Sequence, residues 1–451
     1  MTTLSQRIAA FTSALDYETI PAHVQEKSKV SLLHNLGVAI AGQSLVATSV
    51  LRYVDALGEN GPTASARLLL SGRPATPETA AFANAALMHA RAQDDVYFPG
   101  LTHVGAMTTP AVLAVGEQLG SSGRDMLTAL VAGYEAAGAI GQGFAKRTTA
   151  RGFRASGIYG GFGAAVAVAR LLRLDSQATA NAIGIVASMA AGTNQTWVTG
   201  TQEWQFQLGL ASRNGILAAR LAAAGGTGAP DALEGSAGFY AAFMGDRDQV
   251  AQVGHDLGTV WRSLDVTYKP FAVCAILQAP VTQAIALSRQ HDLKADTISA
   301  VRLTLNPTEA GYPGTDSTGP FGDVGATLMS AQFCLAVALT QRKVLGSDLK
   351  RFADPAIQPL IQRTKVLVDA QLRARAFVIE IDLTDGQTIR YASSSAAQPF
   401  NWNRVEAMDN LRAMGDELPF GSAELEQFGD TVLAAENKTV AEIVCACVVK
   451  A

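Results

Sequence analysis

The stretch AFVIEIDLTDGQTIRYAS, Ala376 to Ser393, decides what kind of fold this chain of 451 residues adopts. Phe377, Ile379, Ile381 and Leu383 alternate with Glu380 and Asp382, the two-residue period of a half-buried strand. Asp385-Gly386 then turns the chain into Thr388–Tyr391, which reads as the second arm of a hairpin. Upstream, VRLTLNP sets Val301, Leu303 and Leu305 on one face against Arg302 and Thr304. Between these strands SAQFCLAVALTQRKV has helical spacing. Residues 265–399 are therefore expected to form a small α+β domain.

Outside that block the period is helical. SLLHNLGVAIAGQS, TPETAAFANAALMHARA, TTPAVLAVGEQLG, GRDMLTALVAGYEAAGAIG, YGGFGAAVAVARLLRL, SQATANAIGIVASMAA and LGLASRNGILAARLAAAG carry apolar residues three and four apart. Thr76 before Pro77, Gly-Arg-Asp at 123–125 and Ser176 are the expected helix starts. After residue 400, WNRVEAMDNLRAMG and SAELEQFGDTVLAAE are helical again. The fold class is mainly α: a large helical domain from residues 1–264, to which helices of 400–451 return, plus the smaller α+β domain. No repeat or low-complexity tract interrupts this plan.

Composition narrows the function. Hydrophobic residues make up 48% and charged residues 16%, which suits a packed globular protein and not a disordered one. A net charge of −4 without long runs of either sign leaves no footprint for nucleic acid. Cys274, Cys334, Cys445 and Cys447 form no C-x-x-C pair, as expected of a reduced, cytoplasmic protein. The start lacks a basic segment leading into a long apolar run, so no secretory signal is expected, and the apolar stretches are too interrupted for a membrane span.

Four polar segments could carry chemistry. In QDDVYFPGLTH, Gln93 to His103, Asp94 and Asp95 precede a Pro-Gly turn and Thr102-His103. Adjacent acids on an extended backbone point oppositely, so one is expected to orient the loop while the other faces a pocket. His103 suits proton transfer near neutral pH, whereas a metal would need a third ligand that the neighbourhood lacks. The plain alternative is a capping Asp94 and an ordinary polar histidine. In RGFRASGIYGGFGAA the glycines of a helix start could present amides to a carboxylate beside Arg151 and Arg154, or could simply let helices pack closely. GTQEWQFQLGLASRNG offers Trp204 and Gln205, and YKPFAVCAILQAPV places Lys269 at the expected domain junction.

Taken in order, HNLGVAIAG, MHARAQDDVYFPGLTH, GYEAAGAIG, GFGAAVAVARLLRLD, SRNGILAARLAAAG, YKPFAVC and SAQFCLAVAL resemble the MmgE/PrpD family over nearly the whole chain. The resemblance implies a homodimer with its active site in an interdomain cleft, working without metal or organic cofactor on small di- and tricarboxylates. The family's activities include 2-methylcitrate dehydration, cis-aconitate decarboxylation and iminodisuccinate epimerisation, all of which move a proton beside a carboxylate. Asp95, Thr102 and His103 match the family's acid-rich loop and Lys269 its Lys-Pro segment; His103 is then expected to be one proton-transfer group with Lys269 or Tyr159 as partner, and Asp95 to orient His103 or the loop. Asp94, Thr102, Arg154, Trp204, Gln205 and Gln278 are the expected substrate-binding residues.

The chain also departs from the family pattern. Phe98, Arg154 and Gln278 stand where relatives often keep histidine, and Trp204-Gln205-Phe206-Gln207 replaces a Lys-Pro-Leu-His run. Dehydration needs an acid for the leaving hydroxide, so lost acid–base groups incline the expectation toward the epimerase side. A catalytically silent metabolite-binding relative is the alternative.

Overall fold

In the computed structural model, which describes residues 2–58, 61, 63–393 and 400–449, the apolar helical segments become long helices stacked side by side. The chief ones are Ala22–Ala41, Pro77–His89, Val104–Leu119, Gly123–Gly141, Ala155–Leu171, Ser176–Ala187 and Glu203–Ala223. Thr76 caps its helix as expected. Asp175 and Ser122, each one residue ahead of the expected start, cap the helices at Ser176 and Gly123.

Close contact explains the glycines. A Cβ on Gly160 would stand 2.0 Å from Met107 Sδ, and one on Gly215 would stand 2.4 Å from Ala164 Cβ. At Gly215 the neighbouring helix backbone leaves no room for a Cβ, and at Gly160 the Met107 side chain would have to give way, so these glycines serve packing. Among the described residues no single helix is long and apolar enough to cross a membrane. The pair Ala22–Ser44 and Thr48–Leu57 passes by length and composition only when joined across a 94° bend. Most of the Ala22–Ala41 helix is buried in the protein's own core.

The alternating segments form one four-stranded sheet: β1 (Ile298–Leu305), β2 (Thr364–Val368), β3 (Val378–Leu383) and β4 (Thr388–Ala392). Its order is β2-β1-β3-β4, with β1 and β2 parallel and the other pairs antiparallel. Leu303 pairs with Ile379, and Ile379 with Tyr391. Val301, Leu303, Leu305, Ile379 and Ile381 pack beneath the helices Gln278–Gln290 and Ala331–Gln341. The hairpin turns at Gly386, whose φ of +91° demands glycine. Strand β2 escaped the sequence reading because it is an edge strand with only Thr364 buried, so it lacks the alternating signature.

The C-terminal helices Arg404–Met414, Ser422–Leu433 and Val440–Ala446 share a core with the helices near the N-terminus. Leu411 Cδ2 lies 2.3 Å from where a Gly37 Cβ would be. The expected junction at residue 399 falls in segment 394–399, outside the described residues. A two-residue antiparallel ladder, Val96–Tyr97 on Val266–Thr267, ties the Asp-Asp loop to the strand that leads into Lys269. That stitch places the site.

Candidate active site

The helix Pro77–His89 delivers the fully buried His89, and the chain then turns into the loop. Arg91 anchors the turn by donating to Ala41 O at 3.1 Å and to the Glu417 carboxylate at 2.8 Å. Gln93 donates to Lys269 O at 3.1 Å and Pro270 O at 3.0 Å, so loop and lysine segment are held as one unit.

The two adjacent acids have separate duties. Asp95 accepts from Asn35 Nδ2 at 2.9 Å, from the Gly105 amide at 3.0 Å and from the Tyr134 hydroxyl. It thereby fixes the first turn of the helix Val104–Leu119. Burial raises its pKa to about 6 even though Tyr134 and Asn35 act against this. Asp94 accepts from His89 Nδ1 at 2.7 Å through one oxygen and from His103 Nδ1 at 2.9 Å through the other. Burial works against its charge, yet His89, His103 and Lys269 hold it well below the usual carboxylate range.

An anionic carboxylate only accepts, so both histidines carry their proton on Nδ1. For His89 the other nitrogen confirms the tautomer: Nε2 receives Arg154 Nη2 at 2.6 Å and must present a lone pair. Burial lowers its pKa to about 3, so it stays neutral. His103 Nε2 has no protein partner among the described residues, and the ring borders the cavity. Burial, then Lys269, lower the His103 pKa, leaving a free base at neutral pH.

Arg154 sits at the N-terminus of the helix Ala155–Leu171, only 4% exposed. Its guanidinium donates to Trp204 O at 2.5 Å, Gln207 Oε1 at 3.3 Å and His89, and lies 4.8 Å from the Trp197 ring centre. All these partners are neutral. Burial lowers its pKa to about 10, which still leaves it cationic. Lys269 is 1% exposed, donates to Ala92 O, and places Nζ 3.3 Å from His103 Nδ1. Burial lowers its pKa, with Asp94 opposing.

These groups open on a cavity of about 1070 Å³ between the helical wall and the sheet wall. Among the described residues, Lys146, Arg154, Lys269 and Arg375 line it against only Asp265 and Glu309. Ser156, whose hydroxyl accepts from the His103 amide at 3.1 Å, Cys274 and Tyr312 complete the inner part. Burial pushes the Tyr312 hydroxyl up to about 12 while Arg154 pulls it down, so it stays protonated.

The MmgE/PrpD N-terminal domain model matches residues 6–252, and the MmgE/PrpD C-terminal domain model matches residues 271–412. The chain belongs to the MmgE/PrpD family. It is 26% identical over 374 residues to the cis-aconitate decarboxylase of Aspergillus terreus, covering 79% of this chain and 76% of that one. It is 23% identical over 451 residues to the cis-aconitate decarboxylase-like protein oryM of Aspergillus oryzae, covering 93% and 91%. With human cis-aconitate decarboxylase it shares 30% identity over 201 residues, covering 43% of this chain and 41% of the human protein.

Against this family background, the cavity brings together only some of the residues expected from sequence. His103, Lys269 and Arg154 line it. Asp94, expected to bind substrate, is fully buried with both oxygens engaged by histidines, and so it takes the orienting duty expected of Asp95. Thr102 is buried and donates to Gly100 O at 2.6 Å. Tyr159 packs on Phe239 and meets Thr148 at 3.4 Å, away from the cavity; the tyrosine that lines it is Tyr312. Gln205 accepts from the Ala47 amide at 2.8 Å and donates to Leu45 O at 3.2 Å. Gln278 bonds Phe271 and Val273 and shapes the turn after Lys269, without lining the cavity. Trp204 backs His89, with ring centres 5.1 Å apart, and does not reach the cavity.

Sequence reasoning missed His89, Tyr312 and Arg375. His89 had a findable signal, being five residues before Asp94 at a helix end. His89, Asp94 and His103 do offer three donor atoms within 4.8 Å of one another. Their Nδ1 protons already point at Asp94, and the cations Arg154 and Lys269 contact the two histidines. These distances fit a carboxylate that bridges two histidine N–H groups.

Proposed function

We propose that this protein is a lyase acting on a small tricarboxylate of the cis-aconitate type, through proton transfer at a carbon beside a carboxylate. The observation that carries the reading is Arg154, a buried guanidinium with no carboxylate partner among the described residues, facing the same cavity as Lys269. Asp94 and Asp95 lie behind the histidines and on Asn35 and Tyr134, so neither pairs with Arg154, and a substrate carboxylate would supply that guanidinium with its missing anion. The names of the curated relatives point to the same chemistry.

In this reading a substrate carboxylate lies on Arg154 and on the start of the helix Ala155–Leu171, where Ala155 and Ser156 border the cavity. When the scissile bond to carbon breaks, the electron pair left behind spreads into the adjacent carboxylate, and Arg154 and Lys269 stabilise that charge. His103 Nε2 takes a proton from carbon where the reaction begins with abstraction. Tyr312, protonated and at the cavity wall, or Lys269 delivers the proton that completes the product. Asp94 holds the His103 ring and keeps its proton on Nδ1. Epimerisation of an iminodisuccinate-like substrate or dehydration of a methylcitrate-like one would use the same groups.

The test is incubation with cis-aconitate, methylcitrate and an iminodisuccinate source in deuterated water, followed by NMR. A cleaved or dehydrated product supports the lyase, and exchange at carbon without cleavage supports epimerisation. Binding without either sinks the enzyme reading. Unchanged turnover in His103→Ala removes His103 from its role.

A further inference from the structure

The outer part of the cavity holds a cation that the reading above leaves unused. Arg375 lies in the loop between β2 and β3, on the sheet wall, and its guanidinium carbon stands 5.2 Å from the centre of the Phe98 ring on the helical wall. Among the described residues it has no ion-pair partner. Glu309 is near but committed: one oxygen accepts the Arg375 amide at 2.8 Å and the other accepts Asn306 Nδ2 at 2.6 Å. Arg375 has φ +66°, a left-handed backbone uncommon outside glycine. Its amide is held there by Glu309. Arg375 is half-buried and lines the same cavity as the exposed Lys146, which likewise has no ion-pair partner among the described residues.

We infer that Arg375, assisted by Lys146, is the receptor for a second substrate carboxylate remote from the reacting carbon, so that the site favours tricarboxylates over dicarboxylates that end at Arg154. This rests on the polycarboxylate reading of the inner cavity. The planar guanidinium suits a carboxylate through two parallel bonds, and its stacking on Phe98 keeps it pre-organised until one arrives. Glu309 lies close enough for the charges of Arg375 and Lys146 to lower its pKa against the rise that burial causes, but among the described residues it forms no ion pair with either, because its oxygens accept from the Arg375 amide and from Asn306.

The experiment measures calorimetric affinity of the full chain for two unreactive probes, propane-1,2,3-tricarboxylate and glutarate. Arg375→Gly is the informative variant, since glycine accepts the left-handed backbone and the loop keeps its path. It is expected to weaken the tricarboxylate about 10- to 100-fold and to leave glutarate within twofold, while Arg375→Lys retains part of the tricarboxylate affinity. An equal loss for both probes, or no loss for either, overturns the inference. Arg154→Ala separates the two levels. It should weaken both probes, and if it weakens neither the inner-cavity reading fails whatever Arg375 does.

Discussion

Asp94→Asn changes one atom and should silence the enzyme without unfolding it. The aspartate accepts two N–H bonds, from His89 at 2.7 Å and from His103 at 2.9 Å. The amide that replaces it has one accepting oxygen and one donating nitrogen, so only one histidine can keep its proton on Nδ1. If His103 is the one that flips, its proton moves to Nε2 and the lone pair facing the cavity is lost. If His89 flips, its Nε2 proton meets the Arg154 Nη2 now at 2.6 Å, and the guanidinium is displaced. Either way a charge-assisted bond worth about 1.5–3 kcal/mol is lost. Loss of a positioned base lowers rates by roughly 10²- to 10⁴-fold. Asp94 also raises the His103 pKa against burial and Lys269, so the acid limb of any surviving activity should move to lower pH. The assay is cis-aconitate turnover by NMR across pH, with circular dichroism and thermal unfolding as checks on the fold. Asp95→Asn is the matched control, and it should cost stability more than turnover because Asp95 fixes Gly105 and Asn35. A variant at Asp94 with near-normal kcat, or a reversal of the two phenotypes, would refute the division of labour between the acids.

Two further outcomes are expected. His89→Phe keeps the ring packing against Trp204 and His103 but removes both nitrogens, freeing Arg154 and one oxygen of Asp94. It should raise KM for the tricarboxylate about tenfold or more and also lower kcat, whereas a purely packing role would leave both near normal. His34 is buried, donates to Gln93 O at 2.8 Å, and has its pKa lowered by burial to about 4. Between pH 4 and 6.5 it is therefore neutral when folded and protonated when unfolded. The unfolded state binds the extra proton, so this residue makes stability fall as pH falls through that window. His34→Gln, which keeps a donor for Gln93 O, should reduce the slope of unfolding free energy against pH by up to about 1.4 kcal/mol per pH unit. Urea titrations of both proteins at several pH values measure it, and parallel slopes would contradict the neutral buried histidine.

Helices and the hairpin were legible because burial writes a period into sequence. The Gly123–Gly141 helix matches its expected segment, and Phe377, Ile379 and Ile381 are all buried. Strand β2 had no such period, since most of its side chains are exposed. The site was legible to a lesser degree, and for a physical reason. Residue type and spacing identify groups able to move protons or bind anions, but the choice among them depends on contacts made across the fold. Asp94 and Asp95 are chemically identical neighbours. What separates them is that Asn35, Tyr134 and Gly105 converge on one, while His89 and His103 converge on the other. Opposite orientation was foreseeable from an extended backbone; which acid met the histidine was not. The same holds for the tyrosines. Tyr159 stands close to Arg154 in sequence but packs on Phe239, whereas Tyr312 comes from the sheet side of the cleft to line the cavity with Arg154. A cleft built from both walls draws half of its chemistry from residues that no local window connects, and Arg375 over Phe98 is the clearest case of such a pair.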